Sequence, residues 1–200
     1  MDDEGKLEKI AGGKYNAANK TFTFDLPHLS LYVIGYDEVA AWVNPFTDVF
    51  ETDWFYENVC FAATHDPVLM GGTSATTFAP NAPLTRAMAY TILARMAGET
   101  ISGASWIVDA TAWAVETGIS DGTNPTENIT RGMLATMLYR FAGVGEDGWD
   151  GEAMEWSAAR GIISDGRPED TATRAEMAAV ISRFCATPPS LRATPPSFRT

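Results

Sequence analysis

A Thr-Arg dipeptide occurs three times in this chain, and each time a second arginine follows nine residues after the first. The residues between the two arginines also correspond from copy to copy. Chance does not readily produce such agreement, so the sequence predicts a tandem repeat with a period of about 45 residues. Repeats of this size generally bury their apolar faces against one another. The arginine pairs are Arg86 and Arg95, Arg131 and Arg140, and Arg174 and Arg183.

Each Thr-Arg dipeptide is predicted to begin an amphipathic helix, because apolar residues recur three and four positions apart after it. The threonines Thr85, Thr130 and Thr173 stand where an N-cap belongs, since a hydroxyl can accept a hydrogen bond from a first-turn N–H. Gly98 and Gly143 are expected to end the first two helices in the left-handed conformation. The third helix has Ala186 at the corresponding place.

Two aromatic residues, seven positions apart, precede each of these helices. Seven positions are two helical turns, so both rings are predicted to share one face of a shorter helix. A glycine turn then follows. Each repeat is therefore predicted to be a short helix, a tight loop and a longer helix, which makes the fold mainly α. The aromatic pairs are Trp54 and Phe61, Trp106 and Trp113, and Trp149 and Trp156, and Trp113 and Trp156 are expected in the core.

The two ends of the chain differ from the repeats. Residues 1–42 contain strand-like alternation between residues 14 and 34, which predicts a β-hairpin, either the remnant of a preceding domain or a lone cap. Residues 187–200 continue a repeated Ala-Thr-Pro-Pro-Ser motif and are predicted to be a disordered tail. The repeats predicted between them span residues 43–99, 100–144 and 145–186.

Composition excludes several classes of function. A formal charge of −12 argues against a nucleic-acid partner, because phosphate binding requires a clustered basic face. No apolar stretch approaches the ~20 residues of a membrane helix, so membrane insertion is not expected. The acidic N-terminus lacks the features of a secretory signal, so an exported protein of this sequence is expected to be a fragment of a longer one.

Few residues suggest chemistry. Cys60 and Cys185 are too few for a disulfide framework or a zinc site, and are predicted to be free thiols. No metal-ligand spacing, nucleophile motif or distinct pair of carboxylates is present. Neither a metal, a cofactor nor an enzymatic activity is therefore predicted.

An ordered set of motifs closely resembles the S-layer homology family. The motifs are Phe46-Thr47-Asp48-Val49, Trp54, Gly72-Thr73, Phe78-Ala79-Pro80 and Thr85-Arg86-Ala87, and the later repeats match the later parts of this pattern, as far as Cys185. The resemblance implies three tandem copies in a pseudo-threefold trimer, with the long helices in a central bundle and the short helices and loops around it. It also implies a non-catalytic anchor on the bacterial cell surface. The implied ligand is an acidic secondary cell-wall polysaccharide, commonly bearing a pyruvate ketal on N-acetylmannosamine, that lies in grooves between repeats.

The resemblance also implies ligand-binding residues. They are the motif arginines Arg86, Arg131 and Arg174, the tryptophans Trp54, Trp106 and Trp149, and the loop positions Gly72, Gly122 and Gly166. The sequence departs from the family pattern at Met88 and Met133, where the motif has a glutamate that only Glu176 retains. The Phe-x-Asp-Val opening occurs only at residues 46–49, so three working grooves are not assumed.

An arginine in the first turn of a helix faces the positive end of the helix dipole, at a cost of about 0.3 to 1 kcal/mol. Three such arginines suggest an anion site in which the guanidinium and free N–H groups grip a carboxylate. The alternative is that each arginine pairs with an acid of the next repeat, such as Asp121 or Asp165, and holds the repeats in register. A protein-interaction or assembly module of a surface protein is the second function considered, and an unaided glycan hydrolase the third.

Overall fold

A computed structural model describes residues 14–16, 21–23, 42–145, 151–163 and 166–187. The chain divides into two units, residues 1–41 and 42–200. In the first unit, β1 (Lys14–Asn16) and β2 (Thr21–Thr23) form an antiparallel pair with Tyr15 opposite Phe22. The strand-like segment near Leu31 and the Pro-rich tail from residue 188 onward lie outside the described residues.

The second unit is helical in its described part, which confirms the prediction of a mainly α protein. Short and long helices alternate along the chain as three helix pairs, α1–α2, α3–α4 and α5–α6. No helix in the described ranges has the length and hydropathy that crossing a membrane would require. The helices are α1 (Tyr56–Thr64), α2 (Arg86–Met96), α3 (Trp106–Glu116), α4 (Arg131–Phe141), α5 (Glu152–Ala159) and α6 (Arg174–Ala186).

The three long helices begin and end as their sequences predict. The hydroxyl of each predicted threonine cap accepts a hydrogen bond from the N–H of the third helical residue, in α2, α4 and α6 alike. Only α6 has a full capping box, because Glu176 returns a hydrogen bond to the N–H of Thr173. Gly98 and Gly143 have φ of +93° and +68°, as expected for left-handed residues after α2 and α4.

The segments that lead into the long helices form a closed ring of backbone hydrogen bonds. The N–H of Leu84 donates to the carbonyl of Ala172, that of Ala172 to Ile129, and that of Ile129 to Leu84, each at 2.9 Å. All three side chains are essentially inaccessible to solvent. Each helix pair is therefore joined to both of the others by main-chain contacts that buried N–H and C=O groups require.

The same ring occupies the N–H groups at the helix starts. The N–H of Arg86 donates to Glu127, that of Arg131 to Asp170 and that of Arg174 to Ala82, at 2.9 to 3.0 Å. The second residue of each long helix also donates to a carbonyl of another pair, and the third to the threonine cap. The expectation that free first-turn N–H groups help to bind an anion is therefore wrong, because neighbouring segments of the same chain have taken them.

Each short helix packs against a long helix: α1 on α6, α3 on α2, and α5 on α4. Trp113 and Trp156 are buried in this packing, as predicted. The expectation that Trp54 and Phe61 share a helical face is wrong, because α1 begins only at Tyr56 and Trp54 precedes it. Trp54 is 61% exposed and makes an edge contact with the ring of Phe55.

Candidate functional site

The side chain of Arg174 extends from the start of α6 to the first helix pair. Its Nε donates to the carbonyl oxygen of Phe78 at 2.8 Å, and its Nη2 donates to that of Gly71 at 2.7 Å. The guanidinium carbon also lies 4.7 Å from the centre of the Phe78 ring. Its hydrogen-bond partners among the described residues are thus uncharged. They position the guanidinium without neutralising it.

Asp48 holds the other side of the segment that Arg174 contacts. Its two carboxylate oxygens accept the N–H groups of Phe78 and Ala79, at 2.8 and 2.7 Å. Asp48 and Arg174 therefore grip the same peptide from opposite directions. Their charges are close enough for Asp48 to oppose the fall in the pKa of Arg174 that burial causes.

Substituting Asp48 by asparagine is expected to loosen this segment. An asparagine has one side-chain acceptor, so one of the two backbone N–H groups loses its partner and the negative charge disappears. We expect the free energy of unfolding, measured with urea, to fall by about 1 to 2 kcal/mol. Asp53→Asn is the matched control, because Asp53 accepts only the N–H of Phe50 and an amide oxygen can still do so. Equal losses in both variants would contradict the clamp.

A cleft of about 420 Å³, called cleft 1 here, opens beside Arg174. One wall is the face of α2 that carries residues at helical spacings of three and four. The opposite walls are the loop of residues 69–72 and the segment of residues 101–106. The lining includes the predicted site residues Arg174, Trp106 and Gly72, and also Met88, Thr91, Ile92 and Arg95.

Cleft 1 is positive. Arg95 spans its mouth, donating to the carbonyls of Leu69 and Ile101 at 3.2 and 3.1 Å, and its pKa is lowered by burial. Both cleft arginines stay charged, since arginine is not deprotonated in proteins. None of the described residues that line cleft 1 is acidic. Two guanidinium groups therefore share one cleft without a carboxylate among its lining residues.

A smaller cleft of about 200 Å³, called cleft 2, repeats this construction one helix pair further along the chain. Arg86 occupies the place of Arg174, and α4 contributes the face that α2 contributes to cleft 1. Here an acid is present: Arg86 Nη2 lies 3.1 Å from an oxygen of Asp121, a residue whose side chain is 67% exposed. Hydrogen bonds from Thr123, and then the charge of Arg86, lower the pKa of Asp121. The lining from α4 is Met133, Thr136, Met137 and Arg140.

Arg131 is the most closely paired of the three arginines. Its Nη1 lies 2.6 Å from Oε1 of Glu176, and the two side chains are only 8% and 20% exposed. The other oxygen of Glu176 completes the capping box at Thr173. The predicted alternative, an arginine paired with an acid of the next repeat, thus describes Arg86 and Arg131, whereas Arg174 contacts carbonyl oxygens instead.

The structure brings only some of the predicted residues together. Gly72 lines cleft 1, where a Cβ would overlap two loop carbonyls and the ring of Phe46. Gly122 lies next to Asp121, and its N–H bonds to Ser120. Gly166 has a left-handed φ of +97° and does not line either cleft. Trp54 is also absent from both linings, and Trp149 lies outside the described residues.

Two contributors were not predicted as site residues. Arg95 was expected to be structural, and it does bind carbonyl oxygens, yet its charge also faces cleft 1. Asp48 belongs to the Phe-x-Asp-Val motif that occurs once in the chain, and that single occurrence was the available signal. It coincides with the cleft whose arginine has no acidic partner among the described residues.

Comparison with known proteins agrees with this geometry. Residues 45–89 match the family model of the S-layer homology domain. That range supplies α1, the loop wall of cleft 1 and the first turn of α2. An endoglucanase of Bacillus sp. (strain KSM-635) is 35% identical over 109 residues, covering 48% of this chain and 11% of the endoglucanase. The chain thus matches about a tenth of that enzyme's length. S-layer homology domains are non-catalytic modules that anchor proteins at the cell wall, and residues 45–89 place this chain in the S-layer homology family.

Proposed function

We propose that this chain anchors a bacterial surface protein to the cell wall by binding an acidic, pyruvylated secondary cell-wall polysaccharide in cleft 1. In this proposal the carboxylate of a pyruvate ketal binds beside Arg174, with Arg95 adding to the positive field. No bond of the ligand is made or broken. The chain acts outside the cell, as part of whatever protein carries it.

One observation carries the proposal: cleft 1 holds two buried guanidinium groups and no acid among its described lining, in a chain with a formal charge of −12. A positive charge that is partly desolvated and lacks a counter-ion favours an anionic partner. Surface charges elsewhere would repel a polyanion, so recognition must depend on this local site.

The remaining walls of cleft 1 suit a sugar ring. Trp106 offers a flat apolar face on which the C–H surface of a pyranose can pack, next to Ile92 and Ile101. The N–H groups of Gly71 and Gly72 donate to no described residue, and are available to ligand hydroxyls. The volume of about 420 Å³ falls within the range of small-ligand sites.

We further propose that residues 43–99, 100–144 and 145–186 are three S-layer homology repeats arranged as a pseudo-threefold trimer around a central bundle of α2, α4 and α6. The cyclic hydrogen bonds through Leu84, Ile129 and Ala172 support this arrangement, as does the equivalence of clefts 1 and 2. The third repeat would place Arg131 and Glu176 at the corresponding position.

Cosedimentation of the chain with purified cell-wall sacs tests the proposal. We expect most of the chain to pellet with intact sacs and to stay in solution after mild acid has removed the pyruvate ketals. Sacs incubated in the same buffer without acid are the control. Undiminished pelleting with ketal-free sacs would show that the carboxylate is not what the chain recognises.

A partner protein is the second candidate, favoured by an exposed apolar stripe on α3. Val108 and Val115 lie two turns apart on one face and are 69% and 50% exposed. If this stripe is the binding surface, the chain should remain bound after the whole polysaccharide is removed, and Val108→Ser together with Val115→Ser should release it.

A further inference from the structure

The third residue of each long helix occupies the same place relative to an arginine of another helix pair. In α6 this residue is Glu176, whose carboxylate reaches Arg131. In α2 it is Met88, which lines cleft 1 together with Arg174, and in α4 it is Met133, which lines cleft 2 together with Arg86. The same geometric position thus carries a thioether twice and a carboxylate once.

We infer that this third helical residue decides whether an arginine of the anchor can accept an anionic ligand, and that Glu176 closes the place beside Arg131 by acting as an internal ligand. The inference rests on the proposed function and names its specificity-determining position. Met88 leaves Arg174 open to an external carboxylate. Glu176 offers Arg131 the same chemical group from within the chain.

The fold holds the Glu176 carboxylate by both oxygens. Oε1 contacts Arg131 at 2.6 Å, and Oε2 accepts the N–H of Thr173 at 2.9 Å. Arg167 adds a second cation 3.8 Å from Oε1. An incoming carboxylate would have to displace a group that is tethered at the right distance and is already desolvated. A tethered group has a large advantage in effective concentration over one from solution.

Cleft 2 lies between these extremes. Its arginine is paired with Asp121, which belongs to the loop and not to the third helical position. The Asp121 side chain is 67% exposed, so its pairing with Arg86 is weak and screened by solvent. The third residue there, Met133, leaves the inner side of the cleft uncharged. The contrast between clefts 1 and 3 is therefore the sharper test.

Met88→Glu should convert cleft 1 into a copy of the closed arrangement. The probe is a methyl glycoside of N-acetylmannosamine with a 4,6-pyruvate ketal, titrated against the whole chain by calorimetry. Met88→Gln removes the same thioether and adds no charge, so the comparison between the two variants isolates the carboxylate. We expect the Met88→Glu chain to bind the probe at least ten-fold more weakly than the Met88→Gln chain. Equal affinities would overturn the inference and leave the proposed function standing.

A second measurement decides the inference even if the unaltered chain binds no probe, an outcome that would dismiss the proposed function instead. Arg174→Gln is added to each Met88 variant, and thermal midpoints are compared. If the new carboxylate pairs with Arg174, this substitution should lower the midpoint of the Met88→Glu chain by about 2 to 4 °C more than that of the Met88→Gln chain. Identical shifts would show that residue 88 does not reach the guanidinium, and would refute the inference.

Discussion

Arg174→Gln is expected to weaken binding of the ketal-bearing wall polysaccharide about 100-fold, a loss of about 2.7 kcal/mol, while the chain remains folded. Glutamine can still donate to the carbonyl oxygen of Gly71 or Phe78, so part of the contact that organises the loop survives. The positive charge that the ligand's carboxylate needs does not survive. Affinity should therefore fall much more than stability.

The matched control is Arg183→Gln on the same helix. Arg183 is exposed and makes one long contact of 3.5 Å with the carbonyl of Ile162, away from the residues that line cleft 1. This variant removes the same charge from the chain, so it corrects for the change in net charge. A comparable fall in affinity in both variants would mean that binding depends on overall charge and not on cleft 1.

Local hydrogen bonds made parts of this fold predictable. A threonine cap and its acceptor position are three residues apart, so Thr85, Thr130 and Thr173 could be recognised without knowledge of the rest of the chain. The left-handed glycines after α2 and α4 are likewise local. The core positions of Trp113 and Trp156 followed from helical spacing and their bulk.

Contacts between distant backbone groups could not be predicted. The carbonyl of Glu127 that takes the N–H of Arg86 is the same chemical group in every residue, so no side chain identifies it. The hypothesis of free helix-start amides failed for this reason. Trp54 was misplaced because a spacing of seven residues does not show where α1 begins, and it begins after that tryptophan.

The sequence also could not rank the three equivalent arginines. Each follows a threonine and opens a long helix, and all three were predicted to bind ligand. What distinguishes them is the residue each meets in space: carbonyl oxygens at Arg174, the exposed Asp121 at Arg86, and Glu176 at Arg131. The glutamate was recognised as a possible cap, and its second contact, 45 residues away in sequence, has no local signature.

Glu176→Gln is expected to lower the free energy of unfolding by about 3 kcal/mol. The amide keeps the shape of the side chain and one acceptor, but it leaves the guanidinium of Arg131, 8% exposed, without its counter-ion. Asp121→Asn makes the same chemical change in the pair with Arg86. Because Asp121 is 67% exposed, its loss should be about 1 kcal/mol or less. Urea unfolding of the two variants and the unaltered chain gives both values.

The difference between these two values measures how the chain divides one kind of arginine between two uses. At Arg131 the guanidinium joins the second helix pair to the third, and a buried carboxylate makes that contact strong. At Arg174 the contact with the first pair is made through carbonyl oxygens, which hold the side chain and leave its charge for a ligand. Equal losses for Glu176→Gln and Asp121→Asn would mean that burial does not separate these uses, and that Arg131 is as accessible to an external anion as Arg86.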